Sequence, residues 1–164
     1  MTTLHSMSNE QRNTDSPRVI ALPPLIFTAG FAAGLILEWI MPVHLFSAPM
    51  CKITGGSVAA AAGLLTLWGS FTMRSAGTNI NPHRPTTVIV RNGPFRFSRN
   101  PLYISLIVLT LGGAIFYDVA WALVTLIPVF LIVRNYVVRR EESYLEAKFG
   151  APYLEYKAKV RRWI

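Results

Sequence analysis

Four long apolar blocks, at residues 19–40, 53–73, 101–117 and 119–138, restrict the fold of this chain more than any other feature. Each is close to the ~20 residues that carry a helix across ~30 Å of hydrocarbon. Within them apolar residues run together instead of recurring at amphipathic spacing, so no face is reserved for water. In lipid every backbone N–H and C=O must be satisfied, and an α-helix does this within its own segment. The blocks therefore predict an all-α, polytopic membrane protein of about four transmembrane helices, the third of them short. A mean hydropathy of +0.38 agrees with this reading.

Helices in lipid gain little from water exclusion and must pack through small residues. Gly30 and Gly34 form a GxxxG pair in the first block, and Gly55, Ala59 and Gly63 follow at i, i+4, i+8 in the second. Both stripes are expected to pack helices within the monomer. Residues 1–18 are polar and aperiodic, and read as a disordered cytoplasmic tail. A full-length span directly after such a tail does not resemble a cleaved signal peptide, so the first span is expected in the mature protein. Spans one and two should form one hairpin, with a short outer loop at 41–52, and spans three and four another.

The formal charge of +8 suggests nucleic acid until the basic residues are placed. Two lie in the 1–18 tail, five in the loop 74–100 and seven after Val138, against Lys52 alone in the 41–52 loop. The positive-inside bias puts both termini and the central loop in the cytoplasm, with the cell membrane of a prokaryote as the expected setting. The lipid bilayer is thus the expected partner, and nucleic acid is not. Cys51 is the sole cysteine, and His5, His44 and His83 are scattered, so no metal centre is expected.

The polar segments differ in character. The loop 74–100 joins a strand-like run at 86–90 to an Asn92-Gly93-Pro94 turn and alternating arginines and aromatics, and reads as ordered. Residues 139–164 place Tyr144, Leu145 and Phe149, then Tyr153, Tyr156, Val160 and Trp163, at helical spacing on either side of Gly150. This tail is expected to be a basic amphipathic helix pair lying on the cytoplasmic surface and capping a site.

Two clusters could carry chemistry. Asn100 before Pro101 is the pattern of an N-cap followed by proline at the first helical position, so a helix amino end, with Arg99 beside it, should favour an anion. Tyr103 lies one turn on. At the end of the fourth block Arg134 and Asn135 interrupt an apolar helix ahead of Arg139, Arg140, Glu141 and Glu142. On a continuing α-helix Asn135, Arg139 and Glu142 would share one face, and Arg134 and Glu141 a neighbouring one. A hairpin between the clusters returns both to one membrane depth.

The sequence GPFRFSRNPLY at 93–103 and EESYLEAKFGAPYLEY at 141–156 are similar to the paired motifs of the isoprenylcysteine carboxyl methyltransferases and the related phospholipid N-methyltransferases. The resemblance covers roughly the last 75 residues, with one hydrophobic hairpin between the motifs. It implies an S-adenosylmethionine-dependent methyl transfer to a lipophilic or membrane-partitioned acceptor. Arg99, Asn100, Pro101, Leu102, Tyr103, Glu141, Glu142 and Tyr156 would hold the cofactor, with Arg99 and Glu142 as the catalytic pair. Where the family carries Arg-His-Pro this chain has Arg99-Asn100-Pro101, and an amide cannot serve as acid or base at neutral pH. The acceptor could be a phospholipid amine, a prenylated thiol or carboxylate, or a small hydrophobic thiol. Two other classes share parts of this pattern. Sterol-type reductases have a similar acidic and aromatic tail that holds NADPH, though on much longer chains, and a non-enzymatic adaptor could use a basic tail on anionic lipid.

Overall fold

The computed structural model describes residues 22–45, 48–81 and 85–164. The 1–18 tail lies outside the described residues, as does His83. Among the described residues the fold is all-helical, without a β-strand. Helix α1 spans Pro23–Ile40, α2 Ala48–Ser75, α3 Pro101–Tyr117 and α4 Ala120–Ile132. A π-helical segment, Val133–Val138, carries α4 without interruption into α5, Arg139–Phe149, and α6 follows at Ala151–Lys159.

Three of these runs are long and apolar enough to cross a membrane: Pro23–Ile40, Pro49–Ser75 and Ala120–Phe149. The 17 residues of α3 are equally apolar but shorter, at the lower limit for spanning hydrocarbon. Paired prolines open α1, where the missing N–H groups would lack partners in any case. Asp118, in the left-handed conformation at φ 53°, turns α3 into α4.

The pairing of helices departs from two sequential hairpins. The main pairings are α2 on α3 and α1 on α4. Surface relief accounts for this. A Cβ added at Gly34 would lie 2.6 Å from the Cα of Ala122 in α4, and one at Gly112 in α3 would lie 2.7 Å from the backbone nitrogen of Ala59 in α2. Each small stripe thus admits the backbone of a helix other than its expected hairpin partner, and dispersion contacts hold the pair without a hydrophobic driving force. Gly63, the third member of the α2 stripe, meets no atom within 4 Å.

Two further expectations are corrected. Residues 86–90 form no strand. Two of their donors go to side chains instead: the Thr87 N–H donates to Thr78 Oγ1 at 3.2 Å and the Thr86 N–H to the Tyr144 hydroxyl at 3.3 Å. Donors committed to side chains cannot contribute to a ladder. The tail forms two helices on either side of Gly150, but the first is not separate from the bundle. Its first half continues the fourth apolar helix, and at Gly150, φ 57°, the chain folds back so that α6 buries Tyr153 and Tyr156. Beyond α6, residues 160–164 run as a non-helical strap towards the start of α3.

Candidate functional site

Because α3 starts where α4 and its continuation end, the two sequence clusters come together. Arg99, Asn100, Pro101, Leu102, Tyr103, Glu141, Glu142 and Tyr156 all line one cavity of about 500 Å³, a size ordinary for small-molecule sites. The start of α1 (Leu22, Pro23, Pro24), the end of α2 (Met73, Arg74) and residues from 78–81 and 86–90 complete its wall. Arg134 and Asn135 are not part of it.

The π segment decides which acidic residues face inward. Val133, Val137 and Val138 are buried against Phe27, Tyr103 and Val129. A wider turn inserts one residue into the helical repeat, which shifts everything downstream by about 100° relative to an uninterrupted α-helix. Glu142 is thereby buried, with 6% of its surface exposed, while Arg139 and Arg140 face outward. The shared face expected for Asn135, Arg139 and Glu142 assumed an uninterrupted 3.6-residue period and does not form.

Tyr103 donates its hydroxyl to Glu141 Oε1 at 2.6 Å, joining α3 to α5. Arg99 Nη1 lies 3.2 Å from Glu142 Oε1, with both side chains more than nine-tenths buried. Glu142 also accepts from Arg162, Nε to Oε1 at 2.9 Å and Nη2 to Oε2 at 2.6 Å. That bidentate bond raises the pKa of Arg162. Arg99 and Glu142 thus pair with each other. Arg99 is left incomplete: its Nε and Nη1 are buried and donate no hydrogen bond.

Asn100 occupies the N-cap position but does not cap with its side chain. Its carbonyl accepts from the Tyr103 and Ile104 N–H groups, and its amide donates to the Arg162 carbonyl at 3.0 Å. The same carbonyl accepts from Ser98 Oγ, and the Arg99 N–H donates to the Arg161 carbonyl. Above the cavity the Tyr156 hydroxyl donates to the Phe95 carbonyl at 2.7 Å. Burial, and then the nearby Glu142 carboxylate, push the Tyr153 phenol up to about 12, so it stays neutral.

Arg162 and Tyr153 escaped the sequence reading. Tyr153 sits three residues before Tyr156 on the same helical face, a signal present in the motif. Arg162 looks like one more basic residue of the tail, and only the fold brings it to Glu142.

The sequence model of the phospholipid methyltransferase family matches residues 50–152. An uncharacterised protein of Haemophilus influenzae is 38% identical over 63 residues, which is 38% of this chain and 100% of that relative. No solved structure matches. The family match covers well over half of the chain, and the protein belongs to the phospholipid methyltransferase family. With its apolar helices this makes it an integral membrane protein and a membrane methyltransferase.

Proposed function

We propose that this member of the phospholipid methyltransferase family takes its methyl group from S-adenosylmethionine, held in the cavity beneath Tyr153 and Tyr156, and passes it to a lipophilic acceptor that arrives from the membrane. The observation that carries this reading is the incomplete guanidinium of Arg99. A buried N–H without a partner costs about 1–3 kcal/mol, and such groups in a native fold point to a ligand or another role. A carboxylate is the acceptor that a guanidinium fork fits best, and the methionine part of the cofactor carries one. The amino end of α3, opened by Pro101, adds a favourable field for the same anion.

The other groups suit the rest of the cofactor. Glu141 would take the ammonium or the ribose hydroxyls, and the aromatic faces of Tyr103 and Tyr156 suit adenine or a sulfonium cation. Glu142 orients Arg99. Leu102, packed beside Pro101, contributes apolar wall. When bound, the cofactor supplies an electrophilic methyl on a positively charged sulfur, and transfer is an in-line displacement. The chain's own task is then alignment and exclusion of water, to which Arg99 and Glu142 contribute by fixing the donor rather than by moving a proton. Asn100 in place of histidine is compatible with this, since its amide is used on the Arg162 carbonyl.

The acceptor side is apolar. Leu22, Pro23 and Leu106 line the cavity between α1 and α3, which suits a phospholipid amine, a prenylated thiol or carboxylate, or a hydrophobic thiol. The basic asymmetry puts this end of the bundle in the cytoplasm. Incubating membranes with methyl-labelled S-adenosylmethionine and extracting into organic solvent tests the reading. Label in the lipid phase is expected, and label confined to water-soluble products overturns the lipophilic acceptor. Saturable binding of NADPH but not of S-adenosylmethionine by the detergent-purified protein would overturn the cofactor.

A further inference from the structure

We infer that Arg162 is a positioning residue that keeps Arg99 open for ligand by occupying the carboxylate Arg99 would otherwise saturate itself upon. The inference rests on the proposed cofactor reading.

Three observations converge on it. The Glu142 carboxylate is buried beside two guanidinium groups, and the two are not treated alike. Arg162 takes both oxygens in a bidentate bond, while Arg99 stands 3.2 Å from one of them and makes no hydrogen bond there. A buried carboxylate and a buried guanidinium alone together would close into the bidentate pair, because that satisfies the most groups without water. Arg162, 28% exposed at its side chain, pre-empts that pair, and Arg99 is left with Nε and Nη1 donating no hydrogen bond.

The second observation is that the strap carrying Arg162 is fastened at the residues that carry Arg99. The Arg162 carbonyl accepts from Ser98 Oγ at 3.1 Å and Asn100 Nδ2 at 3.0 Å, and the Arg161 carbonyl accepts from the Arg99 N–H at 3.0 Å. One segment thus sets both the backbone of Arg99 and the charge opposite it. Asn100 is suited to this by its amide donor, which a neutral imidazole supplies in a different place. Third, Trp163 packs against Phe130 with ring centroids 5.2 Å apart, so the strap has its own apolar anchor.

A merely structural strap and a positioning residue differ in the sign of one effect. If Arg162 works by competing for Glu142, its loss lets Arg99 collapse onto the carboxylate, and removing that charge as well should reopen Arg99. The full-length protein in detergent is titrated with radiolabelled S-adenosylmethionine, and its thermal unfolding is recorded without cofactor, for the wild type, Arg162→Ala, Arg162→Lys and the double variant Arg162→Ala with Glu142→Gln. The expected result is a loss of affinity of about tenfold or more in Arg162→Ala, the scale of one charge-assisted hydrogen bond. Arg162→Lys, which keeps the charge but not the fork, should fall between. The double variant should bind more tightly than Arg162→Ala. Equal affinity of Arg162→Ala and wild type overturns the inference, as does a double variant no better than the single one. A wild type that does not bind S-adenosylmethionine overturns the cofactor reading itself and the inference with it.

Discussion

The Tyr103 hydroxyl donates to Glu141 Oε1 at 2.6 Å, so the two segments that carry the chemistry are joined by one hydrogen bond across 38 residues of sequence. Tyr103→Phe removes the bond and leaves Glu141 in place without its donor. We expect a loss of about 1.5–3 kcal/mol, the range for a hydrogen bond to a charged group, seen as earlier thermal unfolding of the cofactor-free protein in detergent. Combined with Glu141→Ala the two losses should not add, because both remove the same bond. Full additivity would mean that the two side chains act independently.

Arg99→Met keeps the length of the side chain and removes its donors. Glu142 retains its bidentate bond from Arg162, so no unpaired buried carboxylate results, and the cofactor-free protein should unfold within about 1 kcal/mol of wild type, well below the 3–5 kcal/mol of a fully broken buried pair. Affinity for S-adenosylmethionine should fall by about 1.5–3 kcal/mol. Unchanged affinity with lowered stability would mark Arg99 as structural only.

The close approach at Gly34 gives a contrast within one fold. Gly34→Ala sets a methyl group 2.6 Å from backbone in α4 and must push α1 away, at a cost of about 1–3 kcal/mol. Gly63→Ala meets nothing and should be neutral or stabilise by up to about 1 kcal/mol through helix propensity. Thermal unfolding of both variants in the same detergent checks the pair, and equal destabilisation would refute the packing of α1 on α4.

Deleting Tyr136, an exposed residue of the π segment, should let the segment relax to an α-helix. The lost residue and the lost wider turn, about 100° each, offset one another, so Glu141 and Glu142 would keep facing the cavity. Helix content by circular dichroism and binding of S-adenosylmethionine should both persist. Lost binding would show that the wider turn does more than absorb one residue.

In a chain whose buried Cys51 is replaced by serine, an impermeant maleimide applied to intact cells should label His44→Cys and spare Lys159→Cys, both exposed positions at opposite ends of the bundle. The reverse pattern would put the cavity outside.

Much of this architecture is legible in the sequence because it depends on local composition. Continuous apolar blocks can only be helices in lipid, and Pro101 and Gly150 mark a helix start and a break through their own backbone preferences. The residues of the two motifs were readable for a similar reason: a polar side chain at the edge of an apolar helix is costly unless it faces a cavity. What the helical period could not carry is phase and partner. One extra residue in the Val133–Val138 turn rotates Glu142 inward, and its effect accumulates along the helix with no composition signal of its own. Helix pairing is likewise decided by backbone relief, since Gly34 in α1 admits α4 and Gly112 in α3 admits α2. Arg162 reaches Glu142 only because Gly150 folds the chain back and the strap fastens at Asn100. Contacts of that kind join groups far apart along the chain, and their energy exists only once the helices between them have packed.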